Sequence, residues 1–275
     1  MVLHPEDADS KLTATPNAHD QPSEFKFGRA LARFWRDGRE HYGVWRTARE
    51  LASRFWRAIV ELTPSRRRAR YGDIDYDFEQ SVNTTRANVG LRQQCVAILT
   101  GSAYYATEPW LFRPIMEALP IRFEEFTFID LGSGKGRALL MAAEYPFHRI
   151  LGLEWMPEFH QLCLDNIQRW RKAHPESPEI EALCMDVRDF QFPSEPLVIY
   201  LFNPFPESVF AAVLENIRHS VSTNPRPIYI AYRYPELDAL LTQSGWLTKI
   251  AGTEQWAIYR AYMADVLESR GQVKA

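Results

Sequence analysis

The chain has 275 residues, of which 46% are hydrophobic and 24% charged, enough to bury one medium-sized core and to exclude a mostly disordered or fibrous protein. A formal charge of −3 gives no global attraction to nucleic acid or anionic membranes, so any such affinity must come from a local patch. Cys95, Cys163 and Cys184 lack C-x-x-C spacing and cannot pair completely, and no stretch reads as a signal peptide or membrane span, which together predict a cytoplasmic protein.

Residues 1–23 are polar, proline-bearing and aperiodic, and are predicted to form a disordered tail. Residues 24–111 read as a helical cap or extension. Within it, Trp45, Ala48, Ala52, Phe55, Ile59 and Leu62 recur at intervals of three and four, the period of one helix face, and Pro64 ends the run. A shorter set, Phe27, Leu31, Phe34 and Trp35, predicts a helix before it. This region is dense in arginine, from Arg29 and Arg33 through the run Arg66, Arg67, Arg68 and Arg70. One reading is a basic amphipathic surface for nucleic acid or an anionic membrane; the other is an aromatic face packed on the rest of the chain with solvated arginines outside, and charge runs favour the second.

From residue 112 to 265 strands and helices alternate with short connections, and residues 266–275 are read as a tail. Phe126 to Asp130 is predicted as a strand, Lys135 to Glu144 as a helix, Arg149 to Glu154 as a strand and Pro157 to Lys172 as a helix opened by proline. Ile180 to Asp186 and the apolar Leu197 to Phe202 follow as strands, then Glu207 to Ser220 as a helix, Arg226 to Arg233 as a strand and Glu236 to Ser244 as a helix. Trp246 to Ala251 and Gln255 to Ala261 close the series as a hairpin. Alternation of this kind predicts a largely parallel sheet covered on both faces, with an antiparallel strand at one end.

The sharpest local signal is Asp130-Leu131-Gly132-Ser133-Gly134-Lys135-Gly136-Arg137, which follows a strand and opens a helix. Alternate glycines let the chain turn tightly and let a ligand approach the backbone without meeting a Cβ. A P-loop would need glycine where Ile129 stands and Ser or Thr where Gly136 stands, so that chemistry fails. A dinucleotide fingerprint would need G-x-G-x-x-G, from which Arg137 departs. An acid at the strand end followed by G-x-G-x-G resembles motif I of the class I S-adenosylmethionine-dependent methyltransferases, and the resemblance spans about 150 residues in its order of elements.

That resemblance implies a Rossmann-like α/β fold with a seven-stranded, mostly parallel sheet, S-adenosylmethionine as cofactor, and methyl transfer as the activity. It assigns Asp130, Gly132, Ser133, Gly134 and Gly136 to the cofactor's methionine end, and Glu154, 18 residues after Gly136, to the ribose hydroxyls. Asp186 is the implied reader of the adenine amino group, with Val187 donating from its backbone. Any one acid at a strand end is also what a helix cap looks like, but three at successive carboxyl ends converge on the crevice where open α/β sheets bind ligands.

Asn203-Pro204-Phe205-Pro206 resembles the (Asn/Asp)-Pro-Pro-(Tyr/Phe) signature of methyltransferases acting on nitrogen, one proline short. The resemblance makes Asn203, Pro204 and Phe205 the catalytic candidates: two oxygens to accept an amine's protons and aim its lone pair, and a ring face for the developing cation. The plainer reading is a proline-bounded turn holding a core Phe. Upstream, Tyr104, Thr107 and Glu108 loosely resemble a loop that covers the cofactor in non-SET histone-lysine methyltransferases, while Thr107 followed by Pro109 equally reads as a helix N-cap. His148 and His160 lack partners at metal spacing, and no metal is predicted. The acceptor is expected to be a protein side chain or small molecule. A nicotinamide-dependent oxidoreductase and a non-catalytic S-adenosylmethionine-binding scaffold are the alternatives.

Overall fold

The computed structural model describes residues 74–85, 106–202 and 205–261, besides positions 36, 43–45, 48–49 and 52. Both predicted tails lie outside the described residues, as do most of the predicted helical extension and, apart from Arg36 and Arg49, its arginines; positions 44–45, 48–49 and 52 are helical.

Seven strands make one sheet: β1 Thr127–Leu131, β2 Arg149–Glu154, β3 Ile180–Cys184, β4 Leu197–Phe202, β5 Ile228–Arg233, β6 Leu247–Gly252 and β7 Trp256–Ala261. Their order is β3-β2-β1-β4-β5-β7-β6, with β7 antiparallel to both neighbours and the remaining pairs parallel. This is the Rossmann-like α/β sheet, mostly parallel with an antiparallel pair, that the resemblance implied. The chain reverses its direction of travel across the sheet between β1 and β4, so the crevice outside their carboxyl ends is the switch point at which such sheets take ligands.

Period-two side-chain alternation sends successive residues of each strand into opposite layers. Phe128 of β1 enters one core with Phe112, Ile115, Met116, Leu139 and Trp170, whereas Ile129 and Leu131 enter the other with Phe210, Ile217 and Leu241. Helices α2 Pro109–Glu117, α3 Arg137–Ala142 and α4 Pro157–Ala173 supply the first layer, and α5 Glu207–Thr223 and α6 Asp238–Thr242 the second. The short α1, Ile74–Glu79, adds Tyr76 to the first layer. In α4 the buried residues Phe159, Cys163, Asn166, Ile167 and Trp170 form a single stripe, as its sequence period requires. None of the described helices is long and apolar enough to cross a membrane.

Every predicted strand and helix from β1 onward is present, with ends displaced for identifiable reasons. The helix predicted from Lys135 starts at Arg137, because Gly136 is left-handed (φ 87°) and still belongs to the turn. The strand predicted to reach Asp186 stops at Cys184, since Asp186 caps a single 3₁₀ turn, Val187–Asp189. The helix predicted from Glu236 starts at Asp238, after a tight turn in which the Glu236 N–H donates to the Tyr234 carbonyl at 2.8 Å and Tyr234 takes φ 57°.

Candidate active site

The turn after β1 is built from main chain. Gly132, Gly134 and Gly136 all have positive φ (90°, 54° and 87°), a conformation that costs other residues about 1–2 kcal/mol each. The N–H groups of Gly132 and Ser133 both donate to the Leu153 carbonyl, at 2.8 and 2.9 Å, which lays the turn across the end of β2. A Cβ at Gly136 would stand 2.6 Å from the Cys163 sulfur, and one at Gly152 would stand 2.5 Å from Leu139 Cδ1 and 2.9 Å from Ser133 Oγ. Gly152 was not singled out in the sequence, yet it is what allows the turn to sit down on β2.

Asp130 and Glu154 meet at this turn, and both are almost fully buried, at 4% and 5% exposed. Glu154 Oε2 accepts the Gly134 N–H and Oε1 accepts the Met156 N–H, each at 2.8 Å. The Trp155 main chain donates to the same carboxylate, which offers about four lone-pair sites and so keeps some acceptor capacity beyond these three donors. The Asp130 carboxylate takes no hydrogen bond among the described residues. Burial, followed by the neighbouring Glu154 charge, pushes Asp130 up to about 8. Burial likewise raises Glu154 to about 7 against the opposing pull of its N–H donors. Ser133 Oγ is also buried, with no hydrogen-bond partner among the described residues. Two carboxylates and a hydroxyl with unmet demand, facing a backbone that no Cβ obstructs, fit a ligand carrying a positive charge and several donors.

Asp186 lies one strand further on, at the end of β3, and the Met185 N–H donates to the Glu154 carbonyl at 3.0 Å. Its carboxylate is engaged within the chain. Arg188 donates to it from Nε at 2.9 Å, from a guanidinium NH2 at 2.6 Å and from its main-chain N–H at 3.0 Å. Val187 is buried and opens the 3₁₀ turn, where main-chain N–H groups have no partner within the helix.

Above the first layer, the hydroxyls of Thr107 and Tyr200 are 2.9 Å apart, and Tyr200 pairs with Asp130 in the β1–β4 register. The N-cap reading of Thr107 is corrected here: Glu108 occupies the cap position of α2 with no side-chain cap bond, and the buried Thr107 hydroxyl pairs with Tyr200 instead. Glu108 faces Arg233 at 3.4 Å, at the end of β5. The Arg233 guanidinium also donates to the Gln255 carbonyl at 2.8 Å and stands about 5 Å over the rings of Phe202 and Tyr234. Thr107 and Glu108 are thus brought to the carboxyl edge beside Asp130, while Tyr104, Asn203 and Pro204 lie outside the described residues. Phe205 is half-buried against the second core.

Sequence reasoning did not single out Tyr200, Arg233, Asp77 or Asn166. A phenol inside the apolar run Leu197–Phe202 and an arginine ending β5 were visible anomalies; Asp77 and Asn166 had no local signal. One groove of about 510 Å³, between α2 and the β6–β7 turn, is lined by Trp110, Pro114, Gln255 and Trp256 and lies on the same edge as Arg233. A second, of about 600 Å³, is lined by Phe126, Pro227 and Arg260 at the opposite edge, away from the carboxylates. Among the described residues no group of His, Cys, Asp and Glu could hold a metal ion.

No family model and no curated protein matches the sequence. Similar solved structures include an RNA methyltransferase from Salinibacter ruber in complex with S-adenosyl-L-homocysteine, at 18% identity over 56% of this chain and 91% of that one, with a TM-score of 0.39. A precorrin-6y C5,15-methyltransferase from Geobacter metallireducens is similar at 13% identity over 57% and 90% of the two chains, with a TM-score of 0.40. A further one, described as a putative S-adenosyl-L-methionine-dependent methyltransferase from Methanococcus maripaludis, is 17% identical over 56% and 84%, with a TM-score of 0.39.

Proposed function

We propose that the chain transfers a methyl group from S-adenosylmethionine to a nitrogen acceptor on a protein side chain or small molecule. The observation that carries the reading is the switch-point turn: three left-handed glycines beside two buried carboxylates at adjacent strand ends, with Asp130 taking no hydrogen bond among the described residues. When bound, the cofactor would supply a methyl group activated on a sulfonium, open to in-line attack by an acceptor lone pair with the thioether as leaving group.

The chain's own residues do the holding and aiming. Ionised Asp130 compensates the cationic methionine end, with Ser133 Oγ and the glycine backbone beside it. Glu154, oriented by the Gly134 and Met156 N–H groups, presents its remaining lone pairs to the ribose hydroxyls. Asp186 and Val187 stand at the adenine end, where Arg188 and the adenine amino group compete for the same carboxylate. Thr107 and Tyr200 close the site over Asp130. Asn203 and Pro204, which follow β4 in the sequence, accept hydrogen bonds from the acceptor's N–H groups and direct its lone pair; positioning of this kind is most of what the displacement needs.

The test is transfer of labelled methyl from S-adenosylmethionine to panels of proteins, amines and RNA, with two variants. Asp130→Ala is expected to abolish cofactor binding, and Asn203→Ala to keep binding and lose transfer about a hundredfold or more. Equal loss of binding in both would contradict this division of roles, and label entering RNA hydroxyls alone would overturn the nitrogen acceptor.

A further inference from the structure

Two hydrogen-bonded rivets join residues 74–85 to the two sides of Gly136. On one side, Asn166 of α4, 1% exposed, donates from Nδ2 to the Lys135 carbonyl at 3.0 Å and to the Asn83 carbonyl at 3.2 Å, while its Oδ1 accepts the Asn83 N–H at 2.9 Å. On the other, Arg137, also 1% exposed, donates from Nε to Thr84 Oγ1 at 2.6 Å and from a guanidinium NH2 to Asp77 at 3.3 Å and to the Thr85 hydroxyl. Its guanidinium lies 5.2 Å from the centre of the Tyr76 ring. Asp77 in turn gathers the main-chain N–H groups of Thr84, at 2.9 and 3.0 Å, and of Thr85, at 2.7 Å, together with the Thr84 hydroxyl. Burial raises the Asp77 carboxyl, but these donors outweigh it and hold the group below its ordinary value.

A glycine in a left-handed turn gives up more chain entropy on ordering than any other residue, so three of them in five positions need outside support to hold one shape. We infer that segment 74–85 is a positioning element of the cofactor turn, with Asp77, Thr84 and Asn166 fixing Lys135 and Arg137 so that Gly134 and Gly136 keep the conformation that binds ligand. The ligand half of this inference rests on the function proposed above; the fixing of the turn does not. The contacts run between positions 52 to 83 residues apart, so the segment belongs with the turn although it precedes the sheet by more than forty residues.

The test uses the full chain and Thr84→Val, which keeps the shape of the side chain but removes both the donor to Asp77 and the acceptor for Arg137. Hydrogen exchange of the Gly136 N–H, which donates to the Ser133 carbonyl at 2.8 Å, is expected to quicken about tenfold or more, while amides of Ile230 and Tyr259 in β5 and β7 keep their rates. S-adenosylhomocysteine affinity is expected to fall about tenfold. Asn83→Ala is the control: only the main chain of Asn83 takes part, so both readouts stay at wild type. If Thr84→Val does not fold, Thr85→Ala removes one acceptor of Arg137 and gives a smaller change in the same direction. Unchanged Gly136 exchange in a folded variant overturns the inference. Faster Gly136 exchange in a protein whose wild type binds no S-adenosylhomocysteine upholds the fixing of the turn and removes the cofactor reading instead.

Discussion

Gly136 shows what a single position of the turn must satisfy. Alanine there would have to adopt φ 87°, and its Cβ would meet the Cys163 sulfur at 2.6 Å; Cys163 is fully buried in α4. The backbone cost is about 1–2 kcal/mol and the overpacking about 1–3 kcal/mol, so Gly136→Ala is predicted to lose about 2–5 kcal/mol in urea unfolding. Adding Cys163→Ala removes the sulfur and should recover the steric part while leaving the backbone part; a double variant no more stable than the single one would contradict the clash. Asp130, Glu154 and the glycines were legible as candidates because each acid ends a predicted strand and the glycines follow the first of them within six positions. The partner of Asp186 was not, although Arg188 is only two positions away: whether a carboxylate faces a ligand or a neighbouring guanidinium depends on side-chain direction, which spacing does not carry. The cap reading of Thr107 fails for a similar reason, since a hydroxyl before a proline suits a cap and the buried Tyr200 hydroxyl that claims it lies 93 residues away.

At the scale of elements, the strands were legible because a sheet buried on both faces needs apolar runs, and β1, β4 and β5 bury nearly every residue. The amphipathic α4 and α5 were legible from their 3.6-residue period. Boundaries moved where a turn borrowed residues from an element, as Gly136 does from α3 and Asp186 from β3. The role of α1 and the residues after it had no signal in the sequence: a six-residue helix has little periodicity to read, and its bonds to Arg137 and Asn166 are visible only once the chain has folded. Arg137 itself stood in plain view as the residue closing the glycine motif, but nothing local shows that its guanidinium will be buried against Asp77, Thr84 and Thr85.

At the scale of the whole molecule, two buried carboxylates with raised pKa make stability depend on pH. Asp130 and Glu154 hold protons more tightly folded than unfolded, at about 8 and about 7. Between about pH 4 and about pH 8 the folded state therefore binds more protons, and stability falls as pH rises through those values. The ligand-free protein is expected to have a lower Tm at about pH 8.5 than at about pH 6, and Asp130→Asn should flatten the trend. A Tm that rises over this range would contradict the burial of uncompensated acids.

A ligand that brings an ammonium and hydroxyl donors to these carboxylates reverses that cost, because it favours the ionised forms that burial disfavours. Calorimetric titration of the full chain with S-adenosylhomocysteine, beside NADH and at about pH 6 and about pH 8.5, decides between the two cofactors. Micromolar or tighter binding of S-adenosylhomocysteine is expected, stronger at the higher pH and lost in Asp130→Ala, with no binding of NADH. Folded protein that ignores S-adenosylhomocysteine at both pH values, or that takes NADH in its place, would contradict the cofactor assignment.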